Sequence, residues 1–248
     1  MKLLLLFSFL SILTFQQTGT FKTEQKKHAK VKQAYTDKEK TVQDTLKKYN
    51  IDISKMNIFF RVFKKEEIFE LWAKNKEDAT FKHIRTFPIC ASSGSLGPKR
   101  KEGDYQVPEG FYTINCFNPY SNYYLSLGVS YPNESDRKLG FKGKLGGSIF
   151  IHGSCCTIGC IPITDALIKE LYIYAVEAKN NGQTNIPVHI FPFRMDVDDW
   201  TVIEKKIPEY KDIIDFWKNI QPGYTYFEKN KKLPKVTVAS DGKYVIAS

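Results

Sequence analysis

Nowhere is the sequence apolar for the roughly 20 residues a membrane-spanning helix needs, which excludes a polytopic membrane protein. With 42% hydrophobic residues it is too apolar to be disordered throughout. No internal repeat is visible, and no nucleic-acid-binding motif accompanies the net charge of +10. Many lysines alternate with Glu and Asp, as on a solvated face, so the charge implies at most general attraction to an acidic polymer or anionic surface. Cysteine is scarce and odd in number, at five, so at least one thiol is left unpaired within the chain.

The longest apolar run is Leu3 to Phe15, interrupted only by two serines and a threonine, behind a positive Met1-Lys2 start. About 13 residues matches the hydrophobic part of an export signal and is short of a membrane span. Gln16-Gln17 and the small residues Thr18, Gly19 and Thr20 follow, so cleavage after Thr20 is expected, with an uncleaved anchor and a buried helix as alternatives. No cysteine lies nearby to receive lipid. The expectation is an exported protein of the periplasm or cell envelope, touching the membrane only if that segment is retained.

Past residue 20 the chain divides into a lysine-rich lead-in (21–54), a central domain (55–195) and a C-terminal extension (196–248). Apolar positions at helical spacing predict a lead-in helix from Thr36 or Asp37 to about Tyr49. Runs 57–63 and 67–73, rich in aromatic and branched residues around Lys64-Lys65-Glu66, predict a hairpin, and a third strand is expected at 83–91. A Gly/Ser/Pro-dense loop spans 92–110, and its length marks it as functional or disordered. Strands are expected at 111–116, 123–128, 148–152 and 188–193, with a loop over 131–147. A helix begins at Thr164-Asp165 and ends at Gly182; another lies near 209–220, and a final hairpin turns at Asp241-Gly242. Strands first and helices later suggest an α+β domain.

Chemistry concentrates in Ser148-Ile-Phe-Ile-His152-Gly-Ser-Cys-Cys-Thr-Ile-Gly-Cys160-Ile-Pro-Ile-Thr-Asp165. The thiolate is the attacking form of cysteine, and an adjacent imidazole both generates it and returns the proton to a leaving amine. His152 ends a strand and Cys160 precedes a helix, so a tight loop can bring them together, with the helix N-terminus favouring thiolate and oxyanion. Gly159 permits close backbone approach. Two alternatives use the same residues. His152, Cys155, Cys156 and Cys160 are of the right type for zinc, although H-x2-C-C-x3-C lacks a C-x2-C pair. Plain packing is the other alternative for Cys160. Cys90 and Cys116 are expected to be buried or bridged, and the pairing of Cys155 and Cys156 stays open.

Ile151-His-Gly, Gly159-Cys160-Ile161 and Val107-Pro-Glu-Gly-Phe-Tyr-Thr-Ile114 resemble the L,D-transpeptidase catalytic domain, or YkuD family, and within it the YafK-like branch. Phe87–Cys90, Leu96–Asp104, Leu125–Leu127, Tyr131–Asn133 with Asp136-Arg137, Thr164-Asp165 and Ile190–Met195 extend the likeness over about residues 55–195. The resemblance implies a β-rich cradle with a helix after the nucleophile, to which the residues add an N-terminal lead-in helix and a C-terminal helical cap. It assigns Cys160 as nucleophile, His152 as general base, Gly153 as the backbone orienter of the imidazole and Gly159 to the oxyanion site. Arg137 and Asp136 are expected to hold the stem-peptide carboxylates or to form a loop-stabilising ion pair, and Thr157 to bind substrate. The implied partners are peptidoglycan stem peptides and a wall-linked protein, with no cofactor, no metal and no nucleic acid. The implied reaction is acyl transfer from a diamino acid through a thioester. The usual Ser/Thr-His-Gly-Cys-x-Arg ending reads Thr157-Ile158-Gly159-Cys160-Ile161-Pro162 here, which keeps open an amidase that passes the acyl group to water. A non-catalytic wall-binding protein is the reading of a different class. Lys99, Arg100 and Lys101 are read as a solvated or polyanion-attracting loop, and His83 and His189 as core or edge histidines.

Overall fold

The computed structural model describes residues 20–247 apart from 207, 209 and 210. The proposed export signal, apart from Thr20, therefore lies outside the described residues. The fold is α+β. Its base is an eight-stranded mixed sheet in the order β3-β2-β1-β8-β4-β5-β6-β7. β1 (Met56–Phe63) and β2 (Ile68–Asn75) form the expected hairpin, in a register that sets Phe60 opposite Leu71. β3 (Lys82–Pro88) extends it antiparallel. β8 (Pro187–Phe191) joins β1 in parallel and β4 (Gly110–Asn118) antiparallel, so the central strands are covered on both faces and read as nearly continuous apolar runs. β5 (Ser126–Val129), β6 (Phe150–His152) and β7 (Ile161–Pro162) finish the other edge, β6 and β7 in parallel.

One face is covered by helices. α4 (Asp165–Asn180) buries Ile168, Leu171, Tyr172, Ala175 and Val176. Against it pack α1 (Phe21–Lys26) and α2 (Ala29–Lys48), whose Val31, Ala34, Tyr35, Val42 and Leu46 form one buried stripe. Tyr35 donates to Glu177 at 2.9 Å and Lys22 pairs with the same carboxylate at 2.7 Å, which ties the lead-in to α4. α2 starts well before Thr36, because Val31, Ala34 and Tyr35 extend its buried stripe toward the N-terminus.

The other face carries the C-terminal extension. α5 (Trp200–Lys206), unexpected from sequence, precedes α6 (Lys211–Asn230), and the hairpin β9 (Lys235–Val238) and β10 (Tyr244–Ala247) closes the chain. α6 runs through Pro222 because Tyr224 and Phe227 keep burying its face against the sheet. Arg61 is buried yet doubly paired, with Glu70 at 2.7 Å and with Glu228 of α6 at 2.6 Å. Trp72 and Arg194 also donate to Glu70, so every charge in this dry cluster has partners. The stretch 131–147 is not all loop. It holds α3 (Glu134–Leu139), opened by a capping box in which Asn133 and Asp136 satisfy each other's amides.

Candidate active site

His152 is the last residue of β6 and faces Pro162 of β7; Ile151 faces Ile161. Extending that parallel register by the two-residue strand period puts Cys160, just ahead of β7, on His152's side of the strand pair. The imidazole is buried. Its Nδ1 lies 2.5 Å from the Gly153 carbonyl oxygen, and a carbonyl only accepts, so Nδ1 carries the proton and Nε2 keeps a free lone pair. Burial lowers the His152 pKa below the usual imidazole value, against a smaller upward pull from that carbonyl.

The Cys160 thiol is half-buried, and its Sγ lies 3.6 Å from the Ser148 carbonyl oxygen. Burial pushes its pKa up, the Phe150 backbone N–H pulls it down, and the neighbouring Cys156 adds to the rise. The thiol is therefore uncharged near neutral pH. Among the described residues no hydrogen bond yet joins thiol and imidazole, an arrangement common in enzymes without substrate.

Thr157 shapes the loop between them. Its Oγ1 accepts the amide of Gly159 at 3.1 Å and that of Cys160 at 2.8 Å, and donates to the Cys160 carbonyl at 2.9 Å. Two N–H groups thus converge on one oxygen at Cys160. Thr157, expected to bind substrate, has its hydroxyl committed to this loop. Gly159 has φ +127° and passes so close to Gln106 that an added Cβ would sit 3.0 Å from its carbonyl oxygen, so only glycine fits. At Gly153 an added Cβ would lie 2.5 Å from Asp165 Oδ1, the atom that accepts the Ser154 amide at 2.8 Å.

A cleft of about 330 Å³ opens beside Cys160, walled by Val62, Ile89, Ser93, Leu96, Val107 and Ile161. Its wall is stapled to the loop between His152 and Cys160 by a disulfide between Cys90 and Cys155, a pairing the sequence left open. Cys116 is free and exposed rather than buried or bridged, and Cys156 is also free and exposed. With its sulfur bonded to Cys90, Cys155 is no zinc ligand, and among the described residues no three His, Cys, Asp or Glu side chains form a metal-binding group.

Asp136 and Arg137 do not line this cleft. Asp136 is 1% exposed, caps α3 and accepts from Tyr112 at 2.9 Å. Burial raises its pKa to about 6. Arg137 is exposed and donates to the Pro132 carbonyl. Both have partners in the local structure, as in the loop-stabilising reading of this pair. Nor is Lys99 a solvated charge: it is buried and pairs with Asp104 at 2.5 Å, and Asp104 also gathers the amides of Arg100, Lys101 and Gln106.

Sequence reasoning missed Tyr123. Its ring lies over the His152 imidazole, centroids 4.6 Å apart and planes 32° apart. Nothing separated it in the sequence from Tyr120 and Tyr124 beside it.

A family model for the L,D-transpeptidase catalytic domain, YkuD, matches residues 57–190. The chain is 36% identical over 203 residues to YafK of Escherichia coli strain K12, whose name groups it with the L,D-transpeptidases, covering 81% of this chain and 78% of that one. Among solved structures, the helical cell shape determining protein Pgp2 of Campylobacter jejuni aligns at 18% identity and a TM-score of 0.45, over 74% of this chain and 73% of that one. Bd1075 of Bdellovibrio bacteriovorus aligns at 19% identity and a TM-score of 0.39, over 74% of each chain. The family match and the YafK identity carry the assignment: the chain belongs to the YkuD family of L,D-transpeptidase catalytic domains.

Proposed function

We propose that this L,D-transpeptidase-family enzyme acts on peptidoglycan stem peptides with Cys160 as nucleophile and His152 as general base. The observation that carries the reading is the hydrogen bond from Nδ1 to the Gly153 carbonyl, which leaves Nε2 free to accept the thiol proton, on the strand whose register with β7 brings His152 opposite Pro162, two residues after Cys160. The thiol proton turns from the Ser148 carbonyl to Nε2 as sulfur attacks the diamino-acid carbonyl carbon. The amides of Gly159 and Cys160 release the Thr157 hydroxyl and hold the developing oxyanion. His152 then gives its proton to the leaving amine, the C–N bond breaks, and the acyl group stays on sulfur as a thioester.

A second outcome of the same acyl-enzyme has support from a specific observation. Ile158, three-quarters exposed, and Pro162, paired within β7, stand where the common family pattern places a histidine and an arginine. A site without those polar groups has less to hold an acceptor amine, which favours water and an amidase that trims stem peptides or frees a wall-linked protein. Mass spectrometry of tetrapeptide, crosslinked and protein-linked muropeptides separates the two. Crosslinked dimers formed by the parent protein and not by Cys160→Ala establish transfer, whereas tripeptides or freed protein establish hydrolysis. Identical products from both proteins would overturn the catalytic assignment. An exported, envelope-facing location follows from this substrate and from the apolar leader.

A further inference from the structure

We propose that Tyr123 is the positioning residue of this active site: its ring braces the His152 imidazole and its backbone braces Gly153, holding Nε2 toward Cys160. The inference rests on the reading of His152 as the base. Two contacts from one residue converge on the same hydrogen-bonded unit. The tyrosine ring covers one face of the imidazole at 4.6 Å, in a near-stacked geometry. Its carbonyl oxygen comes so close to Gly153 that an added Cβ there would lie 2.8 Å from it. Ring and carbonyl partner of the base are thus held by the same side.

The brace is itself anchored. The Tyr123 amide donates to Ser121 Oγ at 3.1 Å, and Ser121 is buried. Lys30 of α2 donates to the Ser121 carbonyl at 2.7 Å, and His28 packs edge-on against Tyr120 at 4.7 Å. The lead-in helices therefore fix the loop that fixes the base, which gives that appendage a role in catalysis. The Tyr123 hydroxyl makes no hydrogen bond among the described residues, and the side chain is 46% exposed, so the ring face, not the phenol, does the positioning.

The titratable group against the imidazole is the Tyr123 phenol's ring; nearby, Asp165 of α4 meets Gly153 and the Ser154 amide, Lys30 of α2 meets the Ser121 carbonyl, and the Cys160 thiol meets the Ser148 carbonyl. None of them shifts its titration; burial and the Gly153 carbonyl do. Stripping the ring from its face admits water, so the imidazole pKa should rise toward its ordinary value of about 6.5.

The test compares the parent with Tyr123→Ala and Tyr123→Phe. It measures the His152 titration by NMR and the pH profile of Cys160 alkylation by iodoacetamide, read at that residue by peptide mass spectrometry. In Tyr123→Ala the imidazole pKa and the acid limb of alkylation should both move to higher pH. On stem peptides kcat should fall about ten- to a hundredfold with KM little changed. Tyr123→Phe should restore the parent profile. An unchanged His152 titration and alkylation profile in a folded Tyr123→Ala protein would overturn the proposal, whatever happens to KM. Alkylation needs no peptidoglycan, so failure of the underlying reading shows separately, as a profile that His152→Ala leaves unaltered.

Discussion

A 2.5 Å hydrogen bond joins His152 Nδ1 to the carbonyl of Gly153, the next residue in the chain, and so leaves Nε2 as the ring nitrogen free to take a proton. Burial lowers the imidazole pKa, so the neutral form persists to lower pH than in a free imidazole. Burial also raises the thiol pKa, so an unaided thiolate appears only above the usual thiol range. The acid limb of kcat/KM should therefore lie below about pH 6.5. His152→Ala should lower the rate by about 10²- to 10⁴-fold and leave residual activity rising only at alkaline pH. A pH–rate profile for both proteins checks this.

Gly153 is boxed between Asp165 Oδ1 and the Tyr123 carbonyl. Gly153→Ala must displace one of them, at a cost of about 1–3 kcal/mol. Since the same residue holds the imidazole, activity should fall far more than the loss of folded protein accounts for. Thermal melts and turnover of the same preparation separate the two effects.

The Cys90–Cys155 disulfide closes a long loop, with its partners 65 residues apart, and links the cleft wall to the loop before Cys160. Removing it by the double substitution Cys90→Ser and Cys155→Ser should cost about 2–4 kcal/mol in denaturant unfolding. Turnover should fall even where the protein remains folded, because Ile89 and the residues after Cys90 wall the cleft.

His189 is buried among Phe59, Phe111 and Phe191, with Nδ1 unpartnered, and burial drives its pKa down to about 3. The unfolded chain gains this proton near pH 6.5 while the folded one does not, so stability is lost as pH falls below that value. By about pH 5 the loss is about 2 kcal/mol. Asp136, raised to about 6, contributes the opposite trend, so the measurement is made against a variant. Between about pH 7.5 and pH 5, His189→Leu should lose about 2 kcal/mol less than the parent in urea unfolding.

Much of this was legible in the residues. The β1–β2 hairpin, the helix after Thr164 and the terminal turn at Gly242 were readable because local chemistry and tertiary packing agree there. His152 and Cys160 stood out because the strand before one and the helix after the other bracket a short loop. The misreadings share a cause. The start of α2, the passage of α6 through Pro222 and the helix inside 131–147 depend on distant partners, namely α4, the sheet and the Asn133–Asp136 cap. The local role of Asp136 and Arg137 could not be told from ligand binding in the sequence, since their capping and backbone bonds exist only once α3 forms. Tyr123 reaches His152 only through the pairing of β5 with β6.

The most direct test of the account is intact-protein mass spectrometry after brief exposure to a stem tetrapeptide and rapid acid quench. The account predicts an added acyl mass, shorter than the substrate by the departed terminal residue, mapped to Cys160 and released by hydroxylamine as a thioester is. Cys160→Ala should show no adduct, and His152→Ala should form it far more slowly. An adduct on Cys116 or Cys156, or products formed by Cys160→Ala at the parent's rate, would contradict it.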